Sequence, residues 1–312
     1  MKTLYFDCFS GVSGDMVIGA LIDAGADPVK LVEELKKLNI EDEYELTWKK
    51  VVKNGITSTK FDVLLKNHRH EHEHTHDHAH THTHNHDHEH AHTHTHDHDH
   101  EHAHTHTHDH DHGHTHTHEH THTHDHDHEH GHEHVHTHDH HHHDHRSYKD
   151  IVQLLEEADF SEQVKDTALR IFKKIGEAEG LIHGVPLERV HFHEVGAVDS
   201  IIDIIGTAIL IHQLEIEAIK SSPIPVGTGK IRIDHGLYPV PAPATLEILK
   251  GVPIEHSEVR FELTTPTGAA IVAVLAEEFG SIPSMKVRSI GYGAGTKTFK
   301  DHPNVVRVII GE

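Results

Sequence analysis

The chain has 312 residues, 48 of them histidines, and its 51 acidic and 27 basic residues give a formal net charge of −24. Such an acidic balance argues against nucleic acid as the main partner and favours cations or small charged molecules. The single cysteine, Cys8, excludes an internal disulfide framework, and no apolar run approaches the ~20 residues of a spanning helix, so we expect a cytoplasmic protein without a membrane partner.

The N-terminal segment predicts a strand at Leu4–Phe6, a loop of small residues and a helix over Val17–Ala24. Free backbone N–H groups at such a helix start favour a phosphate or carboxylate. Asp7 and Asp15 suggest a metal-bridged anion, although a capped helix after a tight turn explains the same residues. The residues expected to hold the anion are Gly11, Ser13, Gly14 and Asp15.

A second helix is predicted from Asp27-Pro28 to about Asn39. Two segments rich in β-forming residues follow, 43–53 and 56–66. The dipeptide Asn54-Gly55 joins them and is typical of a tight β-hairpin turn.

A low-complexity tract from His68 to His145 comes next and holds 41 of the 48 histidines, which leaves 234 residues able to fold. Histidine alternates there with Thr, Asp, Glu and Ala, so almost nothing can be buried and we expect disorder. Neutral imidazoles bind transition metals, which indicates a metal-binding insertion. An inert polar spacer is the alternative.

The folded pattern resumes at Arg146. Ser147 and Asp150 resemble a capping box, and Ser161 is expected to cap a longer helix to about Gly180. The stretch 187–193 then predicts a strand that leads into the central motif of the chain.

Two imidazoles and several carboxylates are predicted to converge in that motif. His191 and His193 lie two residues apart, so on a strand both leave the same face and can reach one nickel, zinc or copper ion. Asp199 is placed as the N-cap of an isoleucine-rich helix that ends near residue 214, and Asp203 follows one turn later on the same face. Glu194 would point to the opposite strand face.

A purely structural reading of the motif explains the same residues. Asp199 would then be a cap, Asp203 would favour the helix dipole, and the histidines would be ordinary half-buried side chains. Because His-x-His is a short pattern, its spacing alone does not decide between the two readings.

The last third predicts a strand over 218–226, a loop over 233–244 that contains His235, and a proline-initiated helix to residue 250. Helix 271–279 follows an open start able to hold a phosphate or carboxylate. Strands 285–290 and 305–310 close the chain around a flexible stretch, 291–295. The residues expected at the open helix start are Thr264, Thr265, Thr267 and Gly268.

Helices and strands are mixed with a hairpin and without a sustained βαβ repeat, so the fold class is predicted as α+β, with mixed sheets and packed helices. We divide the chain into residues 1–67 and 146–312, which form one catalytic region, and the insertion 68–145.

Four motifs in order resemble the LarC family of nickel-insertion proteins, over residues 3–66 and about 147–312. They are Phe-Asp-Cys-Phe-Ser-Gly-Val-Ser-Gly-Asp-Met, His-Phe-His-Glu-Val-Gly-Ala-Val-Asp-Ser-Ile, His-Gly followed by Pro-Val-Pro-Ala-Pro-Ala-Thr, and Leu-Thr-Thr-Pro-Thr-Gly-Ala-Ala. The resemblance implies CTP-dependent insertion of Ni(II) into pyridinium-3,5-bisthiocarboxylic acid mononucleotide, a lyase-type cyclometallation that gives the nickel-pincer cofactor of lactate racemase.

The resemblance also implies roles for individual residues. His191 and His193, with Asp199 or Glu194 and with Asp7 as a further candidate, would hold nickel. The helix starts at 11–15 and 264–268 would take the phosphate and carboxyl ends of the substrate. His235 or a carboxylate would accept the proton that leaves the pyridinium carbon.

The family usually continues for ~100 residues into a C-terminal domain that binds CTP with Mg or Mn. The resemblance therefore implies that this chain is either a truncated product or the first of two separately encoded pieces, in which case CTP hydrolysis would need a separate C-terminal chain. Expected partners are the nucleotide substrate, an apo lactate racemase-type acceptor and a second copy of this chain. Two alternatives are a nickel storage and delivery protein that acts through the tract, and a metal-dependent phosphohydrolase.

Overall fold

The computed structural model describes residues 1–66, 146–192, 197–233 and 236–312, and the backbone alone of 107–108 and 116–117. The chain divides into two compact units. One unit comprises Met1–Arg69 and His140–Glu312, and the other comprises His70–Asp139. The predicted disorder of the tract falls on residues outside the described ranges.

The described residues form seven α-helices and thirteen β-strands. The helices are α1 Gly14–Asp23, α2 Pro28–Leu35, α3 Tyr148–Glu157, α4 Glu162–His183, α5 Val198–Gln213, α6 Pro243–Ile248 and α7 Pro266–Leu275. The strands are β1 Thr3–Asp7, β2 Tyr44–Lys53, β3 Ile56–Leu65, β4 Thr107–His108, β5 His116–Thr117, β6 Ala218–Ser221, β7 Ile224–Pro225, β8 Lys230–Ile233, β9 Gly236–Pro239, β10 Ile254–Glu255, β11 Glu278–Phe279, β12 Val287–Ala294 and β13 Val305–Gly311.

A mixed sheet with the order β11-β6-β1-β13-β12-β3-β2 organises the larger unit. Neighbours are parallel at β11–β6, β6–β1 and β12–β3, and antiparallel at β1–β13, β13–β12 and β3–β2. Together with the helices packed on this sheet, this confirms the predicted α+β class. The smaller unit contributes the antiparallel pair β4–β5.

Local signals fix most of the element ends. Asp27 accepts hydrogen bonds from the backbone of Val29 and Lys30 at the start of α2. The predicted capping box is present at α3, where Ser147 and Asp150 bond to each other's backbone N–H groups. The hairpin turn places both Asn54 and Gly55 at positive φ, as the β2–β3 connection requires.

The predicted flexible stretch 291–295 is wrong, because most of it continues β12. Gly291 and Gly293 lie directly under α1. A Cβ atom at Gly293 would come within 1.7 Å of the Met16 carbonyl oxygen, and one at Gly291 within 2.1 Å of the Ala20 carbonyl oxygen. These glycines therefore let the backbone of α1 rest on the sheet, and α1 also packs against α5.

The predicted strand 187–193 is also wrong. Leu187–Arg189 forms a short 3-10 helix after Pro186, and the only ladder contact of the described part is an isolated bridge between His191 and Ser147. Val190 and Phe192 are buried while His191 is exposed, so burial alternates along this segment as it does in a strand. Among the described residues, however, no neighbouring strand pairs with it to form a ladder. The prediction that His191 and His193 leave the same face of a strand therefore loses its basis, because the described part of this segment does not form a strand.

Three further boundaries differ from prediction. The strand over 218–226 divides into β6 and β7, since Pro223 between them has no N–H to donate to a ladder. Helix α7 ends at Leu275, and residues 278–279 pair with β6 instead. Helix α5 begins one residue before Asp199, with Ala197 as its N-cap, so Asp199 is not the cap.

The two ends of the long insertion meet at one residue. The Lys66 backbone N–H donates to the Glu43 carbonyl oxygen at 2.8 Å, and the Arg146 guanidinium lies 2.5 Å from the Glu43 carboxylate. The chain thus leaves and re-enters the larger unit beside the start of β2.

Candidate functional site

A cavity of about 490 Å³ opens where three helices begin. The first residues of α1, α5 and α7 contribute to its wall, together with parts of β3 and β8. The residues that line it are Ser13, Gly14, Asp15, Lys60, Phe61, Asp62, Val63, Asp199, Ser200, Asp203, Ile231, Arg232, Ile233, Glu262, Thr265, Pro266, Thr267 and Thr296.

Helix N-termini carry partial positive charge, and the N-cap residues of α1 and α5, Ser13 and Ala197, make no side-chain cap hydrogen bond. Carboxylates bind single N–H groups of the two first turns instead, Asp199 that of Ser200 and Asp203 that of Asp15. At α7 the Thr265 hydroxyl accepts from the Gly268 N–H at 3.2 Å. Three converging helix starts favour a ligand with anionic groups.

Close backbone approach makes this convergence possible. A Cβ at Gly14 would lie 2.5 Å from the Asp203 side chain, and one at Gly268 would lie 2.1 Å from the Val12 carbonyl oxygen. Gly11 adopts φ +83° beside Leu263, a conformation that other residues rarely adopt. The glycines in the two motifs therefore bring the loops together.

Lys60 is a buried cation in the wall of the cavity, with its side chain 9% exposed. Its Nζ lies 2.8 Å from the Asp15 carboxylate, 2.6 Å from the Asp62 carboxylate and 2.8 Å from the Phe61 carbonyl oxygen. Burial alone lowers the pKa of Lys60, but the two carboxylates outweigh it and the pKa is raised. Lys60 therefore stays charged and is already paired.

Asp203 lies between the starts of α1 and α5. Burial raises its pKa well above the ordinary value, and the negative charges of Asp15 and Asp199 raise it further, against the opposing effect of Lys60 and a backbone hydrogen bond from Asp15. Its Oδ1 is enclosed without a hydrogen-bond partner among the described residues. The ionised form of Asp203 is therefore less favoured here than it is for a carboxyl in water.

The structure brings one set of the predicted site residues to this cavity: Ser13, Gly14, Asp15, Asp199, Thr265 and Thr267. Thr264 is fully buried beneath it, where its hydroxyl donates to the Pro225 carbonyl at 2.7 Å and accepts from the Val12 N–H. Gly11 and Gly268 support the loops without lining the cavity.

The predicted nickel ligands are spread more widely. Asp199 faces the cavity, whereas Asp7 is paired with Arg307 and His191 is exposed beside Ser147. His193, Glu194 and His235 lie outside the described residues. Within the described ranges, no three His, Cys, Asp or Glu side chains are grouped closely enough to hold a metal ion.

Sequence reasoning missed several lining residues, above all Lys60, Asp62, Arg232 and Glu262. Lys60 lies 45 residues from its partner Asp15. Arg232 belongs to a short hairpin, β8–β9, that was not predicted, and the second strand of this hairpin falls in the predicted loop 233–244. The one available signal was a charged pair, Lys60 and Asp62, inside an otherwise β-forming segment.

Comparison with known proteins decides the family. The sequence profile described as "Nickel insertion protein" matches residues 4–312. The chain belongs to this family. No solved structure matches it, and within the described residues no helix has the length and apolarity needed to cross a bilayer.

Several family members carry the name pyridinium-3,5-bisthiocarboxylic acid mononucleotide nickel insertion protein. The Geobacillus kaustophilus protein is 46% identical over 100% of this chain and 60% of its own length. The Clostridium kluyveri protein is 42% identical over 100% and 62%, and a Staphylococcus epidermidis protein is 40% identical over 99% and 59%. The chain thus spans about 60% of the length of these relatives.

Proposed function

We propose that this chain takes part in inserting nickel(II) into a pyridinium bisthiocarboxylate mononucleotide, with the cavity at the three helix starts as the substrate site. The names of the relatives supply the reaction. The observation that carries the assignment to this cavity is the convergence of the α1, α5 and α7 N-termini on one space, which suits a ligand with several anionic groups.

The charges that line the cavity favour binding of an anionic nucleotide together with a nickel cation. Carboxylates outnumber the cations Lys60 and Arg232 in its lining, so an anionic nucleotide entering alone would meet net negative charge. An arriving nickel ion would offset that charge. The carboxylates that line the cavity are Asp15, Asp62, Asp199, Asp203 and Glu262.

The finer roles are part of the same proposal. His191, His193, Glu194 and Asp199 are candidate nickel ligands, with Asp7 a weaker one because Arg307 engages its carboxylate. His235 or a cavity carboxylate would take the proton that leaves the pyridinium ring. We further propose that the lyase-type reaction uses CTP with Mg or Mn and takes place in the cytoplasm, where the buried thiol Cys8 stays reduced.

The direct test combines purified protein, the bisthiocarboxylate nucleotide, Ni(II) and CTP, and then measures activation of apo lactate racemase. Parallel reactions add the remaining C-terminal portion of a full-length relative. Nickel-dependent activation in at least one arrangement is expected. No activation in any arrangement, while the full-length relative is active alone, would contradict the proposal.

The ligand assignment has its own test, the double substitution His191→Ala with His193→Ala. Loss of two nickel ligands should reduce insertion by at least 100-fold at limiting nickel, because metal affinity falls with each imidazole removed. His256→Ala is the control, since His256 is exposed and its one ion pair among the described residues is with Glu258. Insertion at near wild-type rate in the double variant would show that the ligands lie elsewhere.

A further inference from the structure

The two cations that line the cavity differ in their availability. Lys60 is held by Asp15, Asp62 and a backbone carbonyl. The Arg232 side chain is exposed and has no ion pair or hydrogen bond with any described residue. An incoming anion can therefore bind the Arg232 guanidinium without breaking a contact to any residue that the structure describes.

Arg232 lies on a strand that is held in place by backbone hydrogen bonds. It lies in β8, opposite Leu237 of β9, and the neighbouring Ile231 and Ile233 also line the cavity. Backbone hydrogen bonds from Thr228 to Val259 at 2.9 Å and from Val240 to Gly229 at 3.0 Å fix the base of this hairpin. A side chain on such a support loses less conformational freedom when it binds a ligand than one on a free loop.

The opposite charge dominates where α1 and α5 begin. The carboxylates of Asp15, Asp199 and Asp203 all line the cavity there. A phosphate dianion placed among these carboxylates would be repelled. The part of the cavity formed by β8 and the start of α7 carries Arg232 and the Thr265 cap together with one carboxylate, Glu262, so it has fewer carboxylates than the α1 and α5 end and is the better place for a phosphate.

We propose that Arg232 is the specificity-determining residue for the phosphate of the mononucleotide substrate, which it binds against the N-terminus of α7 while the pyridinium ring lies toward the acidic part of the cavity. This inference rests on the proposed function and adds to it the orientation of the substrate. A guanidinium matches phosphate oxygens with two parallel hydrogen bonds, so Arg232 would discriminate a nucleotide from its nucleoside.

The test measures binding by calorimetry and needs no turnover. The probes are nicotinic acid mononucleotide, which has the pyridinium carboxylate and the phosphate, and nicotinic acid riboside, which lacks the phosphate. Wild type is compared with Arg232→Ala, with Arg232→Lys and with the matched control Lys230→Ala. Lys230 is an exposed cation two residues earlier in the same strand, and it does not line the cavity.

We expect Arg232→Ala to weaken mononucleotide binding by about 10- to 100-fold, as the loss of a charge-assisted bidentate contact predicts. Riboside binding should stay unchanged, Arg232→Lys should be intermediate, and Lys230→Ala should match wild type. Equal weakening of mononucleotide and riboside, or no weakening of either, would overturn the assignment of Arg232 while leaving the substrate cavity intact. If wild type binds neither probe, the proposed substrate site fails as well.

A parallel binding measurement with CTP distinguishes two ligands whose phosphate Arg232 could bind, the mononucleotide substrate and the co-substrate CTP. If Arg232→Ala weakens CTP binding but not mononucleotide binding, the guanidinium serves the co-substrate and the inference is wrong. Unchanged CTP binding alongside weakened mononucleotide binding supports it.

Discussion

The carboxyl of Asp203 lies where the starts of α1 and α5 meet, packed against Gly14 with its Oδ1 enclosed. Its pKa is raised in the folded chain, first by burial and then by Asp15 and Asp199. In the unfolded chain the same group would titrate near ~3.9. At pH values between the unfolded and the folded pKa, the folded state therefore holds a proton that the unfolded state has lost, and the folded state is disfavoured as the pH rises through that window.

Asp203→Asn should remove this penalty. We expect the variant to match wild type near pH 4 and to become more stable than wild type as the pH rises, by about 1.4 kcal/mol for each unit by which the folded pKa exceeds the unfolded one. Thermal unfolding between pH 4 and pH 8 measures the difference. Asp166→Asn on the exposed face of α4 is the control and should show no such trend. A constant difference across the pH range would contradict the raised pKa.

Among individual residues, the sequence predicted the cavity residues that belong to motifs and did not predict those that lie outside motifs. Ser13, Asp15 and Thr267 could be predicted because each lies at a helix start marked by local sequence. Lys60 could not, because its burial depends on carboxylates supplied by α1 and by its own strand after folding. Short-range patterns contain no information on such pairings.

Among the elements, those with their own turn or cap chemistry were predicted well. The β2–β3 hairpin follows from Asn54-Gly55, and α3 follows from its capping box. Strand β12 was misjudged because its glycines suggest a flexible loop when read alone. Glycine is required at these positions because the backbone of α1 packs directly on them, and α1 is nearly 280 residues away in sequence.

Gly293→Ala should therefore be strongly destabilising. The added Cβ meets the Met16 carbonyl at 1.7 Å, so α1 or the strand must move, and overpacking of this kind costs about 3 kcal/mol. Denaturant unfolding measures the loss. Gly280→Ala is the matched control because nothing lies within 4 Å of its added Cβ and no positive φ is recorded there. Similar stability of the two variants would contradict the tight contact between α1 and β12.

For the whole molecule, the large insertion is attached at a single place. Lys66 and Arg146 both contact Glu43, so the chain between them forms a loop whose ends are held together by the folded unit. The entropic cost of closing a loop grows only slowly with its length, so we expect a long insertion at this position to have little effect on folding stability.

Deletion of residues 68–145, with a short Gly-Ser bridge from Asn67 to Arg146, should keep the nickel-insertion rate of the parent protein at saturating nickel and lose it at limiting nickel. The tract supplies many exchangeable imidazoles, but under the proposed function the chemistry lies in the folded unit. A full-length variant with the tract histidines replaced by serine controls for length and should behave like the deletion. Loss of activity at saturating nickel would place an essential group inside the tract.

The contact of both insertion ends, Lys66 and Arg146, with Glu43 also has a practical use. A fluorescent protein or an affinity module whose own termini are adjacent could be spliced between Asn67 and Arg146, and its signal would report on the protein without touching the sheet. Because β3 runs from this junction to Lys60 in the cavity wall, such a reporter would sit only a few residues along the chain from any change that a bound substrate makes.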